Sequence, residues 1–287
     1  MKVEVINLRE DRPVTLTSYI VNRSKEISWE KRPAVVICPG GAFLSTSDRE
    51  AEPVALRFLS RGYNAFVLRY TTASMGTEKV YPDVLYDLAS AVVTIRRRAE
   101  DWNTDPEKVV IVGFSAGGAL ASLYSIMWHR KWFSETLDVS SNVLKPSAVI
   151  LAYPGVDYVK MYEIFKKQSG PASEMFFKST ITVLGTESFS VESLEEISAT
   201  YHVDKNVPPT FIWTTSDDEY VPVESVITYV QALAQHGVPF EFHVFEKGGH
   251  GLSLADKTTA RTDDQINPHV AKWIDLAFEW LEEHLWG

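Results

Sequence analysis

The stretch Val109-Val110-Ile111-Val112-Gly113-Phe114-Ser115-Ala116-Gly117-Gly118-Ala119-Leu120-Ala121 leaves this chain few ways to fold. A β-branched apolar run of strand length ends at Gly113, and an Ala/Leu/Tyr-rich helical stretch opens directly after Ser115. Strand and helix must join through one sharp turn with Ser115 at its apex. Glycine at 113 and 117 removes side chains that would collide where the two elements meet. A serine so placed holds its hydroxyl clear of the sheet. The next N–H, that of Ala116, opens the helix, where free donors and the helix dipole favour developing negative charge. The span from Lys108 to Arg130 contains no charge between its ends and is long enough to cross a bilayer. The turn at its centre divides it instead into a buried strand and a buried helix.

The rest of the chain repeats this alternation. Residues 1–33 intersperse short apolar runs, Val3 to Ile6 and Val14 to Ile20, with polar residues and predict an edge hairpin or meander. Ala34–Cys38, Asn64–Leu68, Ala148–Ala152 and Thr210–Thr214 read as strands buried on both faces. Helical stripes fill the intervals: Glu50 to Arg61, stopped by Gly62; Tyr81 to the basic run Arg96-Arg97-Arg98; Val223 to His236, capped by Gly237. Phe240–Phe245 alternates as an edge strand does, and an amphipathic helix from His269 to Leu285 follows. Strands alternating with helices predict an α/β fold, a mostly parallel sheet with helices on both faces. Residues 156–209 break the rhythm with Lys/Ser/Glu-rich helical pieces and aromatics. They read as a cap-like insertion over the C-terminal edge of the sheet, within a single domain spanning 1–287, and as a carrier of substrate selectivity.

Charge and cysteine content narrow the function. Against 28 basic residues stand 38 acidic ones, a net charge of −10, which argues against nucleic acid or an anionic membrane surface as partner. The triple arginine sits where cations complement a helix C-terminus and needs no phosphate ligand. The lone Cys38 excludes an internal disulfide and a Cys-based zinc site, which suits a reducing compartment. The start, Met1-Lys2-Val3-Glu4-Val5, shows no basic segment followed by an apolar core, so a cytoplasmic location is expected. No metal and no organic cofactor are implied.

A serine hydroxyl is a weak nucleophile near neutral pH and needs a base, and the base needs an orienter. Both belong on loops at the C-terminal ends of the strands. His250 meets this condition, in a Gly-Gly-His-Gly segment of the acidic-basic loop Glu246–Leu252, which reads as mobile. His129, His236, His243 and His284 fall on predicted helices or strands, and His202 and His269 at irregular or boundary positions. For the acid, Asp217 and Asp218 both follow the strand Thr210–Thr214, and Asp157 follows the preceding strand. The order serine, acid, histidine is that of a serine hydrolase on such a sheet.

From Ala34 onward, Pro39-Gly40-Gly41-Ala42-Phe43, Gly113-Phe114-Ser115-Ala116-Gly117-Gly118, Asp218-Glu219-Tyr220-Val221-Pro222 and Gly249-His250-Gly251 resemble the motifs of α/β-hydrolase esterases. The likeness is to the acetyl-esterase and hormone-sensitive-lipase-like group, and within it to bacterial xylan or sugar acetyl esterases. The family's acid stands two residues ahead of a Val-Pro pair, which selects Asp218. Its His-Gly-Gly-Gly loop corresponds to Pro39-Gly40-Gly41-Ala42, so the resemblance implies oxyanion donors at the N–H groups of Gly41 and Ala42, joined by Ala116. Proline for histidine and alanine for the third glycine are departures that leave backbone donors in place and imply a tighter acyl pocket. Phe43 and Phe114 flank the elbow and are expected to bound that pocket. The resemblance implies hydrolysis of short acyl esters, acetyl on a sugar or xylo-oligosaccharide above all, through Ser115, His250 and Asp218. Thioesterase, lactonase and small peptidase-like activities use the same triad. A non-catalytic binding protein of this fold would have lost a triad member, and here all three stand.

Overall fold

The apolar runs form the centre of one sheet. The computed structural model describes residues 1–28 and 31–286; residues 29 and 30, within the expected N-terminal meander, and residue 287 lie outside the described residues. The strands are β1 (Lys2–Asn7), β2 (Thr15–Ile20), β3 (Arg32–Cys38), β4 (Asn64–Arg69), β5 (Thr104–Phe114), β6 (Ala148–Ala152), β7 (Thr210–Thr215) and β8 (Phe240–Phe245). Their order is β1-β2-β4-β3-β5-β6-β7-β8. β1 and β2 are antiparallel, the expected edge hairpin, and β3 to β8 run parallel. The pairs Cys38 with Gly113, Phe114 with Ala152 and Thr215 with Phe245 bring the strands' C-terminal ends to one edge. Every loop assigned to the chemistry leaves from that edge.

Strand periodicity explains why these runs are continuously apolar. Val36, Ile111, Val149 and Ile212 enter one core, while Val35, Val110, Ile150 and Phe211, their neighbours in sequence, enter the other. The first core is covered by α2 (Asp83–Arg97), α3 (Ala116–Met127) and α8 (Val223–Gln235), the second by α1 (Glu52–Ser60) and α9 (Trp273–Trp286). The uncharged span thus splits into β5 and α3, and among the described residues no helix is long and apolar enough to cross a membrane. Arg96 donates to the carbonyls of Pro106, Asn142, Val143 and Lys145, and Arg98 pairs with Glu4 at 2.9 Å; the basic run ties loops and strands together.

Between β6 and β7 the chain forms α5 (Tyr158–Phe165), α6 (Pro171–Leu184) and α7 (Val191–Glu196); a short α4 (Lys131–Thr136) precedes β6. Phe165 and Phe176 stack at 5.2 Å and, with Leu194 and Ile197, join the core under α8. The expected helix from Glu50 begins later, because Asp48–Glu50 forms a 3-10 turn and Pro53 opens α1.

One buried polar side chain fixes how three segments meet. The Asn64 amide donates to the Trp102 carbonyl at 2.8 Å and the Thr104 hydroxyl at 2.9 Å, and its oxygen accepts the Val21 N–H at 3.1 Å. Asn64→Ala leaves the Val21 N–H without its acceptor and reduces the Trp102 carbonyl and Thr104 hydroxyl to their mutual hydrogen bond, at about 1–3 kcal/mol for each buried group left unsatisfied. A loss of about 3 kcal/mol in urea unfolding is expected; a variant within about 0.5 kcal/mol of wild type would show the cluster to be dispensable.

Candidate active site

The turn between β5 and α3 is as sharp as the sequence demands. Ser115 sits at φ 51°, ψ −115°, a strained backbone for a residue with a side chain, costing on the order of 1–3 kcal/mol. The strain is held by neighbours: the Ser115 N–H donates to the Ala152 carbonyl at 3.0 Å, and its carbonyl accepts the Ala119 N–H at 2.9 Å. A Cβ on Gly117 would lie 2.0 Å from the Cys38 carbonyl oxygen, so only glycine lets α3 start this close to β3.

Ser115 Oγ lies 2.7 Å from His250 Nε2, and His250 Nδ1 lies 2.7 Å from Asp218 Oδ2. The second Asp218 oxygen accepts the N–H groups of Tyr220 and Val221, both at 2.9 Å, in the turn leading into α8. That turn aims Asp218 at the imidazole. Asp217 faces elsewhere and accepts the Gly248 N–H at 2.8 Å. With the Gly248 carbonyl bonded to the Thr215 hydroxyl and the Gly251 carbonyl to Arg49 at 2.8 Å, the histidine loop is pinned rather than loose. Asp157 caps α5 through the Lys160 N–H at 2.8 Å and accepts the Thr228 hydroxyl at 2.7 Å. Both its oxygens are occupied away from His250. The other histidines bind Asp204, Glu195, Ala232 and Glu241 or pack on Trp280 and Phe245.

Burial pushes the His250 imidazole down, but the Asp218 charge and hydrogen bond, helped by the Glu50 charge, outweigh it and hold the group above the usual histidine value. The imidazole is therefore a stronger base than a free one.

Gly41, Ala42, Ser115 and Ala116 line a cavity of about 520 Å³. Gly41 and Ala42 adopt φ 134° and φ 55°, and among the described residues their N–H groups and that of Ala116 donate to no protein acceptor. These three residues and Ser115 share the lining of that one cavity. Phe43 and Phe114 do not bound this cavity. Phe43 is buried edge-on to Tyr70 at 5.9 Å, and Phe114 is buried on the opposite face of the sheet against Tyr153 and Trp273, each at 6.0 Å. The positive φ of Phe43 and the strand alternation of Phe114 send both rings to the cores, where burying each is worth about 1.5–3 kcal/mol. The apolar wall comes from Leu44, from Tyr158 and Met161 of α5 and from Met175 and Phe176 of α6, with Tyr220, Arg49 and Arg261 at polar positions.

Sequence reasoning missed Glu50. It is buried, with Oε2 accepting the Gly40 N–H at 2.7 Å and Oε1 accepting the Tyr153 hydroxyl at 2.6 Å. Nothing local signals it, because its partners lie 10 and 103 positions away.

Comparison with known proteins gives the family and the fold. The sequence profile of the BD-FAE family matches residues 23–233. The endo-1,4-beta-xylanase B of Butyrivibrio fibrisolvens is 34% identical over 230 residues, which are 79% of this chain and 33% of that protein. The chain spans between a third and a half of the length of the first curated relatives it matches. Solved structures match end to end. The carboxylesterase Cest-2923 of Lactobacillus plantarum superposes with a TM-score of 0.82 at 28% identity, covering 99% of this chain and 98% of that one. The acetyl ester-xyloside bifunctional hydrolase of Caldicellulosiruptor lactoaceticus gives 0.78 at 30% identity, covering 98% and 96%. Sheet order, elbow and profile agree: this chain belongs to the BD-FAE family and has the α/β-hydrolase fold.

Proposed function

We propose that the chain is a serine carboxylesterase acting on short acyl esters, with O-acetyl groups on xylo-oligosaccharides or related sugars as its substrates. The observation that carries this reading is the unbroken relay from Ser115 through His250 to Asp218, opening on a cavity with free N–H donors. Ser115 Oγ attacks the ester carbonyl as His250 Nε2 takes its proton, and Asp218 holds the imidazole tautomer and stabilises the imidazolium. The N–H groups of Gly41, Ala42 and Ala116 receive the oxyanion; one such donor is typically worth on the order of 10²–10³ in kcat. His250 then protonates the departing alcohol. Water, deprotonated by the same imidazole, attacks the acyl-enzyme, releasing the acid and restoring Ser115.

The substrate class is supported by the names of the relatives, a xylanase and an acetyl ester-xyloside hydrolase. Residues 156–209 supply the wall that sets acyl and alcohol fit. The test is hydrolysis of p-nitrophenyl acetate, butyrate and octanoate, run beside acetate release from acetylated xylo-oligosaccharides. Preference for acetate together with release from the sugars supports the reading; inertness towards every ester overturns it.

A further inference from the structure

Glu50 is a buried carboxylate that the acyl-transfer steps above leave unused. It stands where two loops of the site meet. On one side it accepts the N–H of Gly40, the residue directly ahead of the Gly41 and Ala42 donors. A Cβ on Gly40 would fall 2.8 Å from Glu50 Oε2 and 2.9 Å from Ser115 Cβ, so carboxylate, glycine and serine pack against one another. On the other side Glu50 accepts the hydroxyl of Tyr153, whose oxygen accepts the Ser253 N–H at 2.9 Å just beyond the histidine loop. The Tyr153 ring stands edge-on to the His250 ring at 5.0 Å. The preceding residue strengthens the junction: Arg49 donates to the Gly251 carbonyl, and its own carbonyl accepts the Ser253 hydroxyl at 2.8 Å.

We infer that Glu50 is a positioning residue for the proposed reaction: one carboxylate fixes the oxyanion loop through Gly40 and the histidine through Tyr153, holding donors and base in register. The inference rests on the triad reading. A two-point acceptor of this kind suits a carboxylate, whose two oxygens take two donors at once.

The groups facing His250 are Asp218 and Tyr220 from the turn after β7, Ser115 from the elbow, Tyr153 after β6, Glu50, and Arg49 through the loop carbonyl; Arg261 lines the same cavity. Of the two carboxylates, only Asp218 touches the imidazole in the hydrogen bonds described. The negative charge of Glu50 acts from behind Tyr153 and favours the imidazolium formed as Ser115 loses its proton.

Glu50→Gln removes the charge and the acceptor for the Tyr153 hydroxyl at constant size, while its amide oxygen can still accept the Gly40 N–H. The experiment combines kcat and kcat/KM for p-nitrophenyl acetate across pH with an NMR titration of the His250 ring, its resonance identified by loss in His250→Gln. Expected for Glu50→Gln is a lowered His250 midpoint and a fall in plateau kcat of about tenfold, with KM little changed. Glu50→Ala orphans both donors and should lose about a hundredfold. Glu50→Gln with wild-type kcat and an unmoved His250 midpoint overturns the inference. So does a loss of activity that only tracks the folded fraction, or a fall in kcat with the midpoint unmoved. The NMR titration needs no turnover, so failure of the Glu50 assignment is readable whether or not the esterase reading stands.

Discussion

Ser115→Ala is expected to lower kcat by about six orders of magnitude while leaving fold and substrate affinity close to wild type. The hydroxyl lines the cavity and stands 2.7 Å from the His250 base. Removing it eliminates the acyl-enzyme route and leaves what the N–H donors and binding provide to a water molecule, on the order of 10³–10⁴ over solution. The same variant should no longer react with a fluorophosphonate probe. Because Ser115 and His250 act as one unit, adding His250→Ala to Ser115→Ala should cost almost nothing further. A single variant retaining more than about a hundredth of wild-type kcat, or a double variant far below the single, would remove Ser115 from the nucleophile's role.

The elements around the elbow were legible because covalent and steric rules act locally there. Gly113 and Gly117 announce a close approach, and the structure places a carbonyl oxygen 2.0 Å from where a Gly117 Cβ would stand. Strand runs such as Ala34–Cys38 were legible for a similar reason: burial on both faces removes polar residues from successive positions. The choice of Asp218 over Asp217 and Asp157 was not legible from spacing and came through the resemblance. The physical reason lies in turn geometry: exposed Asp217 accepts the Gly248 N–H, while buried Asp218 gives one oxygen to the Tyr220 and Val221 N–H groups and the other to His250. Phe43 and Phe114 show the converse error. Adjacency to Ala42 and Ser115 in sequence suggested adjacency in the cavity, but a positive φ and a one-residue step along a strand send the rings to separate cores. Glu50 was invisible because it acts through contacts with Gly40 and Tyr153 that only the closed sheet brings together.

Asp218→Asn carries the second large expectation: a fall in kcat of about 10⁴ near neutral pH. The carboxylate accepts from His250 Nδ1 and so keeps Nε2 free to take the serine proton; an amide in its place can present N–H₂ to Nδ1 and select the wrong tautomer. Asp157→Asn is the control. It touches the cap of α5 and Thr228 but not His250, so it should cost about 1–2 kcal/mol of stability and leave kcat near wild type. The pH dependence fixes the sign. Catalysis needs neutral His250, and its pKa lies above the usual value once the Asp218 and Glu50 charges have outweighed burial. In wild type kcat/KM therefore rises with pH through a midpoint above about 6.5, and Asp218→Asn should move that midpoint down. Stability runs the other way. A folded pKa raised above the unfolded one means that protonation favours the fold, so this contribution is complete below about pH 6.5 and is lost as pH climbs through the folded value. The stability gap between wild type and His250→Gln should accordingly be wider at about pH 5.5 than at about pH 9, the range in which activity grows. Equal gaps at the two pH values, or an Asp218→Asn midpoint at or above that of wild type, would mean that Asp218 does not hold the charge of His250.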